Sequence, residues 1–257
     1  MRKTVRSFSG LQGEGVRTEL EFVTKDLSFD CICLDDYFSL RFSKPVISIS
    51  SAVLGGGLSE ISSFLNMKVD ENYLGSRTDF TDPRETLAER AVSLGLAGPS
   101  AAMMTAASME SFTWAERKVG NFSVFCFLTS GLSNALAAGD DALFMPREMF
   151  KTRGAARYGT INIAAGTNIP LSDAALAEAF MICTEAKSSI LFERGDKSIL
   201  SERTATGTGT DSLLIFSPRL KEPGLLEEYC GKHTRLGQFF AETVREALFE
   251  SIARYRP

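Results

Sequence analysis

Apolar and polar positions alternate in short runs over the first fifty residues: "ELEFVTK" (19–25), "SFDCICL" (28–34), "YFSLRFS" (37–43) and "PVISISS" (45–51), separated by one or two residues. A period of two at these lengths predicts strands, and strands that follow one another without a helix predict an antiparallel meander. The same succession argues against a doubly wound parallel sheet, which needs a helix between strands. Further extended pieces are expected at "SFLNMKV" (63–69), "AAMMTAA" (101–107), "FSVFCFL" (122–128) and "YGTINIAAG" (158–166). Between them "DPRETLAERAVSLGL" (82–96) carries the signals of a helix, with Asp82 as N-cap, Pro83 at the first helical position and Gly95 after the last turn.

Two longer amphipathic helices are expected in the second half. In residues 171–193, Ser172 caps the start and Leu176, Phe180, Cys183 and Ile190 fall on one stripe, with Lys187 on that same stripe. A lysine there either snorkels its ammonium to the edge or holds a buried carboxylate. In residues 234–255, Leu236, Phe240, Val244, Ala247 and Ile252 make a core face, while Glu242, Arg245, Glu246 and Glu250 are solvated, so this helix packs on a sheet. No internal repeat, low-complexity tract or Pro-rich linker divides the chain. The expected fold is α+β in one domain, 1–257. Antiparallel or mixed sheets, opening with the meander, pack against two or three amphipathic helices, and residues 1–18 form a flexible or loosely packed N-terminus.

Composition narrows the partners. With 257 residues, 44% of them apolar, the chain can bury a substantial core. A formal charge of -4 and a pI near 5.3 provide no broad basic field, so nucleic acid and anionic lipid are not expected partners. No apolar run approaches the roughly 20 residues of a membrane span, and "MRKTVRSFSGLQGEGVRTEL" has no apolar segment of a secretory signal. Five scattered cysteines, without a C-x-x-C pair, suit a reducing cytoplasm, which is the expected location. With one histidine in the chain, no metal site is expected. An oligomer is neither required nor excluded.

The richest candidate chemistry is "TATGTGTDSLLIF" (204–216). A phosphate-cradling loop would lead into a helix and usually carry a lysine, and this run leads into the strand-like Leu213–Phe216. It therefore suits neutral hydrogen-bonding groups such as amides, with Thr208 and Thr210 as hydroxyl partners, or it is an ordinary turn. His233 precedes a helix that Thr234 can cap, and the positive end of the helix dipole favours its neutral form, the form that accepts a proton or ligates a metal. It is a candidate general base or a turn histidine without a chemical role. In "TEAKSS" (184–189) Glu185 and Ser189 stand one turn apart, with Lys187 pointing elsewhere. Strand alternation in "GTINI" puts Thr160 and Asn162 on one face and Ile161 and Ile163 on the other. "TSGLSNALAAGD" (129–140) supplies Asn134 and Asp140, and in "VLGGGL" Gly55, Gly56 and Gly57 let backbone approach a ligand. Such loops at the ends of apolar strands are a common way to build a pocket.

Seven stretches, in order, are similar to the adenosylcobinamide amidohydrolases, the CbiZ family: "VLGGGL", "MMTAA", "TSGLSNALAAGD", "GTINI", "LSDAALAEAFMICTEAKSSIL", "ATGTGTDSLLIF" and "GKHTRLGQ". They span roughly residues 45 to 250. The resemblance implies cleavage of the amide joining aminopropanol to the corrin propionate side chain, giving adenosylcobyric acid for cobamide (vitamin B12) salvage. The partner would be a corrinoid that carries its own cobalt, and no separate cofactor is expected. Two departures, a "GGGL" without asparagine and an aromatic "VFCFLTSGLSN", leave open an amidase for another amide-rich ligand. A non-catalytic corrinoid-binding or sensing protein is the other class of reading.

In the catalytic reading, His233, or a carboxylate from Asp211 or Glu185, activates water or a threonine hydroxyl of the G-T-G-T-D run, while Lys187 stabilises developing charge. Gly55, Gly56, Gly57, Asn134, Thr160, Asn162, Thr208 and Thr210 line the substrate, with glycine-loop N–H groups holding the oxyanion. In a competing role, His233 binds the corrin's cobalt.

Overall fold

The structure, a computed structural model, describes residues 3–6, 18–69, 82–96, 98–141, 159–219 and 226–254, the first of these as backbone only. The meander is present: β1 (Lys3–Arg6), β2 (Thr18–Val23), β3 (Ser28–Cys33), β4 (Tyr37–Ser50) and β5 (Gly57–Lys68) pair antiparallel in succession. "YFSLRFS" and "PVISISS" are one strand of 14 residues rather than two, with a register shift between Arg41 and Val46. That irregularity lets the first half of β4 pair with β3 and the second half with β12 (Ser212–Pro218), so one strand joins the two arms of a single curled sheet. Of the expected loose N-terminus at 1–18, β1 and Thr18 are described strand residues and the rest lies outside the described residues.

Beyond β5 come α1 (Pro83–Ser93), β6 (Ser100–Thr105), β7 (Thr113–Val119), β8 (Phe122–Ser130), the short β9 (Ala135–Leu136), β10 (Ile161–Thr167), α2 (Asp173–Arg194), the short β11 (Gly207–Thr208), β12 and α3 (Arg235–Arg254). The pairing is mixed, because β6 runs parallel to β5 and β12 parallel to β10. Strand β7 was not expected from the pattern. Its sequence "TWAERKV" mixes charges into a run that the hairpin to β8 and the cover of α3 make extended. The chain is α+β: a curled sheet of ten strands, a separate two-stranded pair and three helices among the described residues.

The curl puts two faces against each other. Phe22, Phe29, Phe38, Phe42 and Phe64 from β2 to β5 meet Phe125, Phe127 and Phe216 from β8 and β12, all within one buried cluster. Edge-to-face contacts such as Phe29 with Phe125, Phe127 and Phe216, at 5.4–5.8 Å between ring centres, fit the ring quadrupoles. Gly166 leaves room for this, since a Cβ there would lie 2.4 Å from the Phe216 ring. Helices α2 and α3 cover the outer face of β8, β10 and β12 through Leu176, Ile182, Phe240 and Leu248, and Leu87 and Ala91 of α1 cover β5 and β6. The layers are helix, sheet, sheet, helix.

Capping follows the sequence signals. Asp82 accepts from the Arg84 N–H, Ser172 from Ala175 and Thr234 from Gly237, and α2 stops at Gly195 in the left-handed region.

Candidate active site

At one end of the sandwich the apolar layer gives way to polar side chains. On β10, Ile161, Ile163 and Ala165 face the helices, and Asn162 and Ala164 face the opposing sheet. Asn162 Nδ2 donates to Asn66 Oδ1 (2.7 Å) and to the Met104 carbonyl (2.8 Å), and Asn66 Nδ2 donates to Thr129 Oγ1 (3.0 Å). This chain ties β5 and β6 to β8 and β10. Asn66 and Thr129 had not been singled out. Their signal was a polar residue inside each of the apolar runs "SFLNMKV" and "FCFLTS".

The run "TGTGTD" wraps around Asp211. Its Oδ1 accepts from the Ile161 N–H (3.0 Å) and the Thr208 hydroxyl, and its Oδ2 from the Thr208 N–H (3.0 Å) and the ammonium of Lys187. Lys187 thus holds a buried carboxylate; the two side chains are 12% and 15% exposed. Gly207 is what admits the pair, because a Cβ there would lie 2.2 Å from Asp211 Oδ2 and 2.7 Å from Lys187 Nζ. Gly207→Ala is therefore expected to destabilise the fold by about 1–3 kcal/mol through overpacking. Urea unfolding of the variant checks this, and an unchanged midpoint would show that the turn gives way freely.

Thr160, Thr210 and Asn134 close around the same turn. Thr160 Oγ1 and Thr210 Oγ1 are 2.6 Å apart, and Thr210 Oγ1 donates to the Gly159 carbonyl at 3.3 Å. Gly159 packs so tightly that a Cβ would stand 2.6 Å from the Gly131 carbonyl and 2.8 Å from Asn134 Oδ1. Among the described residues no hydrogen-bond donor reaches the buried oxygens Asn134 Oδ1 and Asn162 Oδ1. The loop bearing Asn134 is zipped to the turn by the pairing of β9 with β11. It is also clamped by Asp140, which accepts from the Ala137 N–H (2.9 Å) and from the hydroxyls of Ser198 and Ser201.

The hydroxyl of Ser198, then that of Ser201 and the Ala137 N–H, hold the Asp140 carboxyl below its ordinary value. A depressed native value contributes stability that is complete above the ordinary carboxylate range and is lost as pH falls through the native value. Asp140→Asn is expected to flatten the acid limb of the stability profile, read as melting temperature from pH 6 down to about pH 3; an unchanged limb would remove Asp140 from it.

The glycines of "VLGGGL" meet protein backbone. A Cβ on Gly55 would lie 2.4 Å from the Ser100 carbonyl and one on Gly56 2.4 Å from the Ala52 carbonyl, while Gly57 opens β5 with nothing within 4 Å. Their loop is tied to the start of β12 by Ser51, whose N–H donates to the Leu213 carbonyl (3.0 Å). His233 and Glu185 stand elsewhere. His233 is exposed at the start of α3 beside Tyr229, and Glu185 pairs with Lys232 on the surface. Neither bonds to Asp211, Lys187 or the threonines. All five cysteines are buried, with no disulfide among the described residues, and burial first, then the Glu178 and Glu227 carboxylates, push the Cys230 thiol up to about 12. Burial likewise raises Cys31, Cys126 and Cys183, so these four supply no thiolate nucleophile at neutral pH.

Compared with known families, residues 20–257 match the sequence profile described as CbiZ, adenosylcobinamide amidohydrolase. The chain belongs to the CbiZ family. An uncharacterized protein of Methanocaldococcus jannaschii, MJ1613, is 32% identical over 164 residues, 60% of this CbiZ chain and 63% of that protein. An adenosylcobinamide amidohydrolase of Methanosarcina mazei is 26% identical over 200 residues, 76% of this chain and 84% of that one. Among solved structures, a Burkholderia sp. beta-aminopeptidase superposes with a TM-score of 0.44 at 12% identity, over 87% of this CbiZ chain and 80% of that one.

Proposed function

We propose that the protein hydrolyses the amide between aminopropanol and the propionate side chain of adenosylcobinamide, giving adenosylcobyric acid for corrinoid salvage. The observation that carries this reading is the convergence of Lys187, Asp211, Thr160, Thr208, Thr210 and Asn134 on one turn at the mouth of the sandwich. Family membership and the named Methanosarcina relative support the substrate.

The chemistry of the turn suits a ligand edged with carboxamides. Its one ammonium is already paired, so the free groups are hydroxyls, amide N–H and carboxamide, which match neutral arms rather than phosphate. Each such arm left unpaired on desolvation would cost about 1–3 kcal/mol. Asp211 accepts from four donors, two on each oxygen, which engages all the lone-pair sites of a carboxylate. It orients the turn and the start of β10, and Lys187 keeps a positive charge beside them. His233 and Glu185, on the outer surface, take no step in this scheme. Buried cysteines scattered along the chain support a reducing, cytoplasmic setting. No helix among the described residues is long and apolar enough to cross a membrane.

Incubating the protein with adenosylcobinamide and following products by chromatography and mass tests the proposal. Release of aminopropanol with adenosylcobyric acid is expected. Binding without release would replace the enzyme by a carrier or sensor, and neither would mean a different ligand.

A further inference from the structure

We propose that Thr160 is the catalytic nucleophile and that amide cleavage passes through an ester on its Oγ1, with Asn134 Nδ2 and the Gly209 N–H stabilising the oxyanion. This rests on the amidase reading of the same site. Four threonines stand around the turn: Thr206 accepts from the Ala138 N–H (2.9 Å), and the hydrogen bonds of Thr160, Thr208 and Thr210 separate the other three. The Thr208 hydroxyl gives its proton to Asp211 and takes the Thr210 N–H at 3.5 Å. The Thr210 hydroxyl gives its proton to the Gly159 carbonyl. The assignment that satisfies both this contact and the 2.6 Å contact between Thr160 and Thr210 makes Thr160 the donor. In that assignment its proton is aimed at an acceptor, and among the described residues no donor engages its lone pairs.

Thr160, its hydroxyl meeting that of the exposed Thr210, is itself 4% exposed and shielded from bulk water. Its position is fixed on both sides of the residue: its carbonyl accepts from the Gly131 N–H (3.0 Å), and the next N–H, of Ile161, is held by Asp211. An attacking group that is already oriented needs little reorganisation in the transition state.

Two donors at the same turn are unused among the described residues. Asn134 turns Oδ1 in against Gly159, which leaves Nδ2 facing the turn, 3.6 Å from where a Cβ on Gly209 would stand. Among the described residues no acceptor takes Asn134 Nδ2 or the Gly209 N–H. Preorganised donors of this kind, one side chain and one backbone, are what a tetrahedral oxyanion requires.

The step balances without a further reagent. Thr160 Oγ1 bonds to the amide carbon and the carbonyl pair moves onto oxygen. Collapse breaks the C–N bond with its pair on nitrogen. The Thr160 proton reaches that nitrogen through the Thr210 hydroxyl, which releases one proton as it receives another. The amine leaves, and water then cleaves the ester, restoring the Thr160 hydroxyl and freeing the carboxylic acid.

The test uses the full chain, Thr160→Val, Thr160→Ser and Asn134→Ala, with circular dichroism and melting to verify folding. Two readouts are taken: turnover of adenosylcobinamide, and acylation by p-nitrophenyl acetate located by peptide mass. Thr160→Val is expected to lose about 10³-fold or more in turnover, and Asn134→Ala about 10²-fold in kcat with KM little changed. Thr160→Ser should keep measurable turnover, and acetyl should appear on Thr160 in the wild type. A folded Thr160→Val that turns over within about tenfold of the wild type would overturn the nucleophile and leave the proposed function standing. A wild type acylated at Thr160 yet inert towards adenosylcobinamide would do the opposite. Failure of both readouts in a folded wild type would overturn both.

Discussion

Lys187→Met should lower the stability of the protein by about 3 kcal/mol, the lower end of what breaking a buried ion pair costs. The substitution keeps the length of the side chain and removes only the charge, so the loss comes from leaving Asp211 ionised with three neutral donors in a largely buried place. On a chain of this size the fall corresponds to roughly 6–12 °C in melting temperature. Turnover should fall with it, because Asp211 holds both Thr208 and the Ile161 N–H. Adding Asp211→Asn to Lys187→Met should recover part of the stability, since the uncompensated charge is then gone. Urea titration of the two variants reads this directly. A single-variant loss below about 0.5 kcal/mol would mean that water screens the pair as it does at a surface.

Phe29→Ala should cost more, about 3–5 kcal/mol, and leave a protein close to its unfolding threshold. Phe29 is 1% exposed and touches the rings of Phe22, Phe42, Phe125, Phe127 and Phe216, which belong to both faces of the sandwich. Truncation opens a cavity between two sheets whose backbones are each fixed by their own ladders, so collapse around it is limited. Phe29→Leu, which retains much of the volume, should lose about half as much. Equal losses in the two variants would show that ring geometry rather than volume dominates there.

The meander, the three helices and their caps follow from local chemistry. Asp82, Ser172 and Thr234 each precede an amphipathic run, and a side-chain oxygen next to free N–H groups has the same effect wherever the helix docks. The alternation in "GTINI" likewise fixed which side chains share a face, because the period of a strand is set by backbone geometry. Lys187 on an apolar stripe already demanded one of two solutions, and the family motifs offered His233, Asp211, Glu185 and Lys187 alike as places of chemistry.

What the pattern could not reach depends on contacts between residues far apart in the chain. β4 read as two strands because the exposed Ser43, Lys44 and Pro45 interrupt the apolar alternation where the register shifts, and only pairing with β3 and β12 on either side of the shift makes it one. The parallel ladders β5–β6 and β10–β12 are invisible to alternation, which is the same in either direction. "TWAERKV" became a strand because α3 and β8 cover it.

At the site, the sequence by itself determined which residue types were present. The tertiary structure decided who holds whom: Lys187 comes from the middle of α2, Asp211 from before β12, Thr160 from before β10 and Asn134 from after β8. Their meeting requires the curl of the sheet, which is set by the aromatic layer between its two faces and by the shift within β4. His233 and Glu185 looked equally able in the sequence, but helical geometry turns Glu185, two residues from Lys187, outward to Lys232, and His233 stays exposed at the start of α3.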